Sequence, residues 1–360
     1  MKIKFFGAAL DPADSPDKVA VKRAYLNTLR SGRLTMPNFL DPYDAICASS
    51  PELFKNLDIV RAEKFPVESW LTPKPLLEDF PLVTPENYRT FIDTNGCEEY
   101  ALLLRKFVEE KILPDTPAML GVDHSLSGGV IGALSNLHGT ENISLVLIDA
   151  HFDAIPQKTR IKLADYAKEV GMSHPLCSIP QSSGGDVPET CNCGTFLRYL
   201  IEKKVVMPEN LTVIGTSDYP GERLMDAGDR RAKEYVDEYL SYEKKGVFFI
   251  PRAKVDENFS NVLSKHLEKI ETPLVYVSLD ADVGAFSALY AVRFLDAIGI
   301  DESAIYELAK SINKKLRSGK KLAGFDVMEM DVHLMGAKLS CKEDRTAAIA
   351  GNFAKLLLES

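Results

Sequence analysis

Short apolar runs alternate along this chain with longer stretches whose apolar residues recur every three or four positions, the rhythm of strands followed by helices. The runs predict strands at Lys2–Gly7, Leu57–Ala62, Pro117–Gly121, Ser144–Ile148, Leu211–Gly215, Gly246–Ile250, Leu274–Leu279 and Leu322–Phe325. Helical periodicity predicts helices at Glu98–Lys111, Leu126–His138, Thr195–Lys204, Asp226–Tyr242, Glu257–Lys269, Glu302–Arg317 and Arg345–Leu358. Runs such as SLVLI and PLVYVSL are apolar at nearly every position, so helices must cover both faces of those strands. The expected fold is α/β, a mostly parallel eight-stranded sheet between helices, in one domain spanning 1–360. Two segments break the rhythm: 63–97, rich in Pro and aromatics, and 154–193, a long interval between a strand end and the next helix. Such intervals commonly form lids or substrate-facing loops.

Composition narrows the class without naming a function. At 360 residues, with 45% hydrophobic and 26% charged residues, the chain can bury a large core. A formal net charge of -9 argues against nucleic-acid or anionic-membrane partners, which require clustered Lys and Arg. No apolar stretch reaches transmembrane length, and the N-terminus lacks a signal-peptide core. Six cysteines without a secretion signal do not make a disulfide scaffold, so a reducing cytoplasmic location is expected.

Candidate chemistry lies where apolar runs end, because ligands of parallel sheets bind beyond the carboxyl ends of the strands. After PAMLG comes Val122-Asp123-His124-Ser125, after SLVLI comes Asp149-Ala150-His151-Phe152-Asp153, and after PLVYVSL comes Asp280-Ala281-Asp282. Alternation lets Asp149, His151 and Asp153 converge, and Asp280 with Asp282. Four carboxylates gathered at a buried sheet end would repel one another unless cations stood among them. Two divalent ions neutralise four carboxylates, and carboxylates with two imidazoles form a mostly hard ligand set suited to Mn(II) and compatible with Co, Ni or Fe(II). The bland alternative is a strand-end loop of satisfied polar groups; an isolated D-x-D supports nothing more, whereas three clusters in register do.

The segments GVDHS, DAHFDA, SLDAD and GFDVMEMD, in this order, resemble the signature motifs of the arginase, agmatinase and formimidoylglutamase family, from about residue 117 to the C-terminus. The resemblance implies a three-layer α/β/α sandwich and a binuclear metal site. In that scheme His124 binds the first ion and His151 the second, while Asp149 and Asp280 bridge both. Asp153 binds the first ion and accepts a hydrogen bond from the attacking hydroxide, and Asp282 binds the second. Glu329, at the end of the run LAGFDVM, falls where the family places the carboxylate that pairs with the substrate's guanidinium or amidinium. Asp344-Arg345-Thr346-Ala347 resembles the start of the family's last helix. Two Mn(II) ions per chain, a small cationic guanidino or amidino substrate, and a homo-oligomer (trimer or hexamer) follow by the same analogy.

Departures from the pattern bear on the substrate. The family's proton-shuttling histidine lies in an H-G-T motif, and the best match here is Cys193-Gly194-Thr195. Cys193 could relay the proton if its pKa were tuned toward neutrality; His174 could replace it, or solvent could serve. Cys191 and Cys193 with Cys177 and His174 suggest a second metal only weakly, since the spacing fits no common zinc pair. After Asp282 the chain reads Val283-Gly284-Ala285-Phe286 where the family has Asp-Pro and a Gly-rich turn. No counterpart of arginase's amino-acid head-group recognition is evident, which favours an agmatine-like guanidine over arginine. Asp123 is a candidate partner supporting His124. His138 and His266 near helix C-termini suit favourable cation–dipole contacts. His333 reads as structural, Trp70 as part of a lid or subunit contact, and Gly128-Gly129 as helix-start packing.

The leading expectation is thus a hydrolase of linear C–N bonds releasing urea from an agmatine-like guanidine. A formimidoylglutamase or guanidino-acid hydrolase is the alternative within the class. A metal-binding scaffold or regulatory subunit that has lost hydrolysis is the alternative outside it. A single-zinc deacetylase of the related fold is disfavoured by the extra acidic ligands.

Overall fold

The computed structural model describes residues 2–33, 39–56, 58–173, 187–295, 297–339 and 342–359. The eight-stranded sheet comprises β1 (Ile3–Ala8), β2 (Ile59–Arg61), β3 (Thr116–Gly121), β4 (Ile143–Ile148), β5 (Leu211–Ile214), β6 (Phe248–Ile250), β7 (Leu274–Asp280) and β8 (Lys321–Met328). It runs in the order β2-β1-β3-β8-β7-β4-β5-β6, and every pairing is parallel. The predicted strands are all present. A small antiparallel pair, β9 (Lys338–Leu339) and β10 (Lys342–Glu343), follows β8.

Strand alternation explains why the central runs read as apolar throughout. In β4, Leu145 and Leu147 face one core and Val146 and Ile148 the other; in β7, Tyr276 opposes Val275, Val277 and Leu279. The first core is covered by helices including α1 (Pro16–Arg30), α3 (Pro85–Asp93), α4 (Gly96–Phe107), α5 (Ser127–His138), α6 (Gln157–Glu169), α7 (Phe196–Glu202) and α9 (Arg230–Lys244). The second lies under α2 (Pro42–Ser49), α10 (Arg252–Leu267), α11 (Glu302–Arg317) and α12 (Thr346–Leu358), while α8 (Glu222–Met225) is a single turn. Helices on both faces complete the α/β/α layering. Among the described residues, no helix is long and apolar enough to cross a membrane.

Helices α1, α2, α3 and α6 were not expected from periodicity. Their local signals lie at their starts: Ser15 caps α1, Asp41 caps α2 and Thr84 caps α3, each with Pro in the first turn. Helix α6 places a turn-and-helix inside 154–193, so that interval is partly regular structure. Trp70 packs its ring 5.3 Å from Tyr88 and donates to Glu68, belonging to an aromatic cluster under α3 rather than to a lid. His266 is no dipole-bound cation: it stacks on Phe248 at 3.6 Å, and burial, then the neighbouring Lys269, pushes its pKa down to about 4.

The ends of β3, β8, β7 and β4, four adjacent strands, converge on one point. At the end of β3 the backbone passes close to β1 at Gly121, where a Cβ would stand 2.6 Å from the Ala8 carbonyl oxygen. At Glu329 the chain takes φ of 57°, unusual for a residue with a Cβ, and its N–H is held by the Val122 carbonyl at 2.8 Å.

Candidate metal centre

All six candidate ligands meet at this point. His124 follows β3, Asp149, His151 and Asp153 follow β4, Asp280 closes β7 and Asp282 lies in the turn after it. Strand β4 ends at Ile148, so the acidic residues converge through a tight turn and not by extended alternation. That turn is held by side chains of the site itself: the His151 N–H donates to Asp149 Oδ1 at 2.7 Å, and the Asp282 N–H donates to Asp280 Oδ1 at 2.8 Å.

Two groups of donors form. His124, Asp149, Asp153 and Asp280 place one ligand atom each within 4.8 Å of one another, and Asp149, His151 and Asp282 do the same. Asp149 belongs to both. His124 Nδ1 lies 2.9 Å from Asp280 Oδ2, 3.2 Å from Asp153 Oδ2 and 3.5 Å from Asp149 Oδ2, while His151 Nδ1 lies 3.0 Å from Asp282 Oδ2. His124 Nδ1 and Asp149 Oδ2 are buried yet have no aligned hydrogen-bond partner. Orphaned buried donor atoms are rare without an explanation, and here both point into one cluster of hard ligands. The residues fit a pair of divalent ions.

Electrostatics agree. Burial, then Asp153, Asp280 and Asp282, pushes the Asp149 carboxyl well above its ordinary range. Burial and then Asp282 push Asp280 up to about 7. Burial opposes a charge on His124, but the carboxylates of Asp153, Asp280 and Asp149 that face it outweigh this, and its pKa rises. Without cations, protons must gather where the carboxylates crowd.

The partner that orients His124 is not the expected Asp123. His124 Nε2 meets Ser278 Oγ at 2.9 Å, and Ser278 in turn donates to Asp326 Oδ1 at 2.5 Å, with Tyr276 donating to Asp326 Oδ2 at 2.5 Å. If Nε2 carries the proton, Nδ1 is left as the lone-pair donor toward the ions. Both Ser278 and Asp326 are buried inside apolar strand runs, and that interruption was the readable signal. Ser278→Ala, nearly isosteric, is expected to weaken metal binding about ten- to hundredfold. Competition with a chromophoric chelator measures this, and unchanged affinity would refute the role.

Asp123 pairs instead with Arg293, a residue that motif reasoning missed. Arg293 Nη1 lies 3.2 Å from Asp123 Oδ2 and 3.0 Å from Glu329 Oε2; Nη2 donates to the Pro12 carbonyl at 3.1 Å; Nε lies 3.5 Å from Asp11 Oδ1. The Arg293 N–H also donates to the Glu329 carbonyl at 2.9 Å. Burial works against its charge, but Glu329, Asp11, Asp14 and Asp123 outweigh it and hold the guanidinium charged. Glu329 Oε1 meanwhile accepts from the His124 backbone N–H at 2.8 Å. Asp11 is further anchored by buried Lys22 of α1.

Cys193 is half-buried beside Asp123 and Glu329. Burial, then Glu329 and Asp123, pushes its thiol well above the ordinary range, away from the near-neutral value a relay needs. His174 and Cys177 lie outside the described residues. His333 bonds the Pro73 carbonyl at 2.8 Å and stacks edge-on against Tyr25, a structural role as expected. A cavity of about 630 Å³ reaches these groups, lined by His151, Asp153, Asp280, Asp282, Arg293 and Glu329 among others.

Comparison with known proteins bears on the same architecture. The sequence profile of the arginase family matches residues 49–358. No match is found among curated protein sequences. Among solved structures, arginase from Bacillus cereus superimposes with a TM-score of 0.59 at 16% identity, covering 100% of this chain and 99% of that one. Proclavaminate amidino hydrolase from Streptomyces clavuligerus gives 0.56 at 18% identity over 99% and 90%, and formimidoylglutamase from Bacillus subtilis gives 0.55 at 14% over 100% and 87%. At these identities the structural likeness speaks for the fold, and the profile match, spanning most of the sequence, speaks for descent: the chain belongs to the arginase family.

Proposed function

We propose that this protein is a binuclear-metal hydrolase of linear C–N bonds, with His124, Asp149, His151, Asp153, Asp280 and Asp282 as its metal ligands and Mn(II) as the metal. The observation carrying this reading is the pair of orphaned, buried ligand atoms, His124 Nδ1 and Asp149 Oδ2, inside a cluster of four carboxylates. Two divalent ions held there would supply a nucleophilic water at neutral pH and neutralise the developing charge. The chain's own residues do the rest. Ser278 and Asp326 set the tautomer of His124, the resemblance gives Asp153 the role of accepting a hydrogen bond from the nucleophile, and Phe196, 4.7 Å from the His124 ring, shields one side.

Two substrate readings follow. By resemblance, the head group is an agmatine-like guanidine that Glu329 pairs with, and urea is released; a formimino compound or guanidino acid is the variant. The contact between Arg293 and Glu329 favours a second reading, in which the head group does not rely on that carboxylate.

The test is release of urea, formamide or ammonia from agmatine, guanidinobutyrate, arginine, free guanidine and simple amides, with Mn, Co and Ni each supplied. Turnover of at least one compound, dependent on two ions per chain, is expected. Two bound ions with no turnover of any compound would leave a metal-binding scaffold as the reading.

A further inference from the structure

Glu329 is the carboxylate on which a guanidinium would be expected to rest, and a guanidinium already rests there. It is Arg293, from the remodelled stretch after Asp282. Its side chain is 3% exposed and Glu329 is 1% exposed. Four protein groups grip it: Glu329, Asp123, the Pro12 carbonyl and Asp11. Its backbone is tied to Glu329 as well. A substrate cation would have to displace an intramolecular guanidinium that gives up no translational freedom on binding. It would also have to leave the expelled Arg293 with new partners, since a buried charge cannot be left unpaired.

Charge matching in the rest of the cavity points the same way. Two divalent ions balance the four aspartates of the metal centre. Lys18 stands on Asp14 at 2.9 Å and Arg89 on Asp93 at 3.5 Å, so the other carboxylates lining the cavity are matched by cations of the protein, apart from Asp17, exposed on the first turn of α1. Among the described residues, the buried end of the cavity offers no carboxylate without a partner to a second guanidinium.

Resting on the two-metal reading, we propose that Arg293 is a specificity-determining residue: it occupies the cation position of Glu329, so the site rejects guanidinium head groups and admits an uncharged C–N head group of the carboxamide or ureide class. Asp123 and the Pro12 carbonyl, which accept hydrogen bonds from Nη1 and Nη2, hold Arg293 in place on Glu329.

The test uses the full chain with its metal content measured first, which decides the two-metal reading separately. In calorimetric titration of Mn(II)-loaded wild-type protein, agmatine and guanidinium chloride should give no saturable binding up to ~10 mM. Arg293→Ala should acquire a guanidinium site. At ~10 mM, guanidinium chloride should raise its thermal midpoint, whereas equal ammonium or sodium chloride should not. Adding Glu329→Gln to Arg293→Ala should abolish that gain. A merely structural arginine would not produce cation-specific rescue. Arg293→Gln replaces the alanine variant if the latter does not fold, and the wild-type titration needs no variant. The proposal is overturned if wild-type protein binds agmatine saturably and Glu329→Gln weakens that binding tenfold or more. Failure of the Arg293 variants to gain guanidinium-specific binding would overturn it equally.

Discussion

Asp149→Asn is expected to bring metal content from two ions per chain to one or fewer and to lower turnover by roughly a thousandfold or more, about 4 kcal/mol of lost transition-state stabilisation. The reason is geometric. Asp149 is the one residue common to both donor groups, and it is fully buried. Asp280, which the resemblance makes a second bridge, falls in the first of these groups alone. Asparagine keeps the size and the oxygen that caps the His151 N–H but removes the charge, so the fold should persist while the balance of four carboxylates against two dications fails. Metal analysis of the purified variant after exhaustive dialysis, beside its activity, tests this. A variant that retains two ions and wild-type turnover would rule out the assignment.

The second large effect concerns the protein stripped of metal. Asp149 and Asp280 have pKa values above their ordinary range in the folded state, Asp280 reaching about 7, and His124 is raised too. A raised folded-state pKa means the fold binds protons more tightly than the unfolded chain. Its stabilisation is therefore complete below the unfolded values and is lost as pH climbs through the folded ones. The chelated protein should lose stability from about pH 5 to pH 8, by an amount on the order of a few kcal/mol. Asp11 and Asp14 shift the opposite way below that window, and His266, held down to about 4, offsets part of the loss up to about pH 6.5, so the fall is steepest above it. Adding Mn(II) should reverse the loss and release protons, because the ions take the places the protons held. Thermal midpoints of chelated and reloaded protein at the two pH values measure it. A chelated protein more stable at pH 8 than at pH 5 would contradict this account of the cluster.

The strands and the metal cluster were legible because both obey short-range rules. A strand covered on both faces leaves a continuous apolar run, and a polar residue just beyond it is aimed at the sheet's carboxyl edge. His124, Asp149 and Asp280 all announce themselves this way. The α1 and α6 helices were not legible in the same manner. Their faces are mostly polar, with Lys, Arg and Asp breaking the periodicity, so only caps and packing define them. Arg293 escaped for a different reason. Nothing near it in sequence marks it, since its partners are Pro12, Asp123 and Glu329, brought together by the sheet. Ser278 and Asp326 stand between these cases: each interrupts an apolar run, but only the adjacency of β7 and β8 shows that they touch.

The order of the strands carries a consequence for truncation. Strands β7 and β8, the last two of the large sheet to be synthesised, lie in its middle, between β3 and β4. Without β7 and β8 the sheet has no continuous order, because β2-β1-β3 and β4-β5-β6 are joined only through them. His124, after β3, and Asp149, after β4, belong to different halves. The full donor set therefore depends on the chain from Leu274 onward, and a chain cut short before it lacks both Asp280 and Asp282.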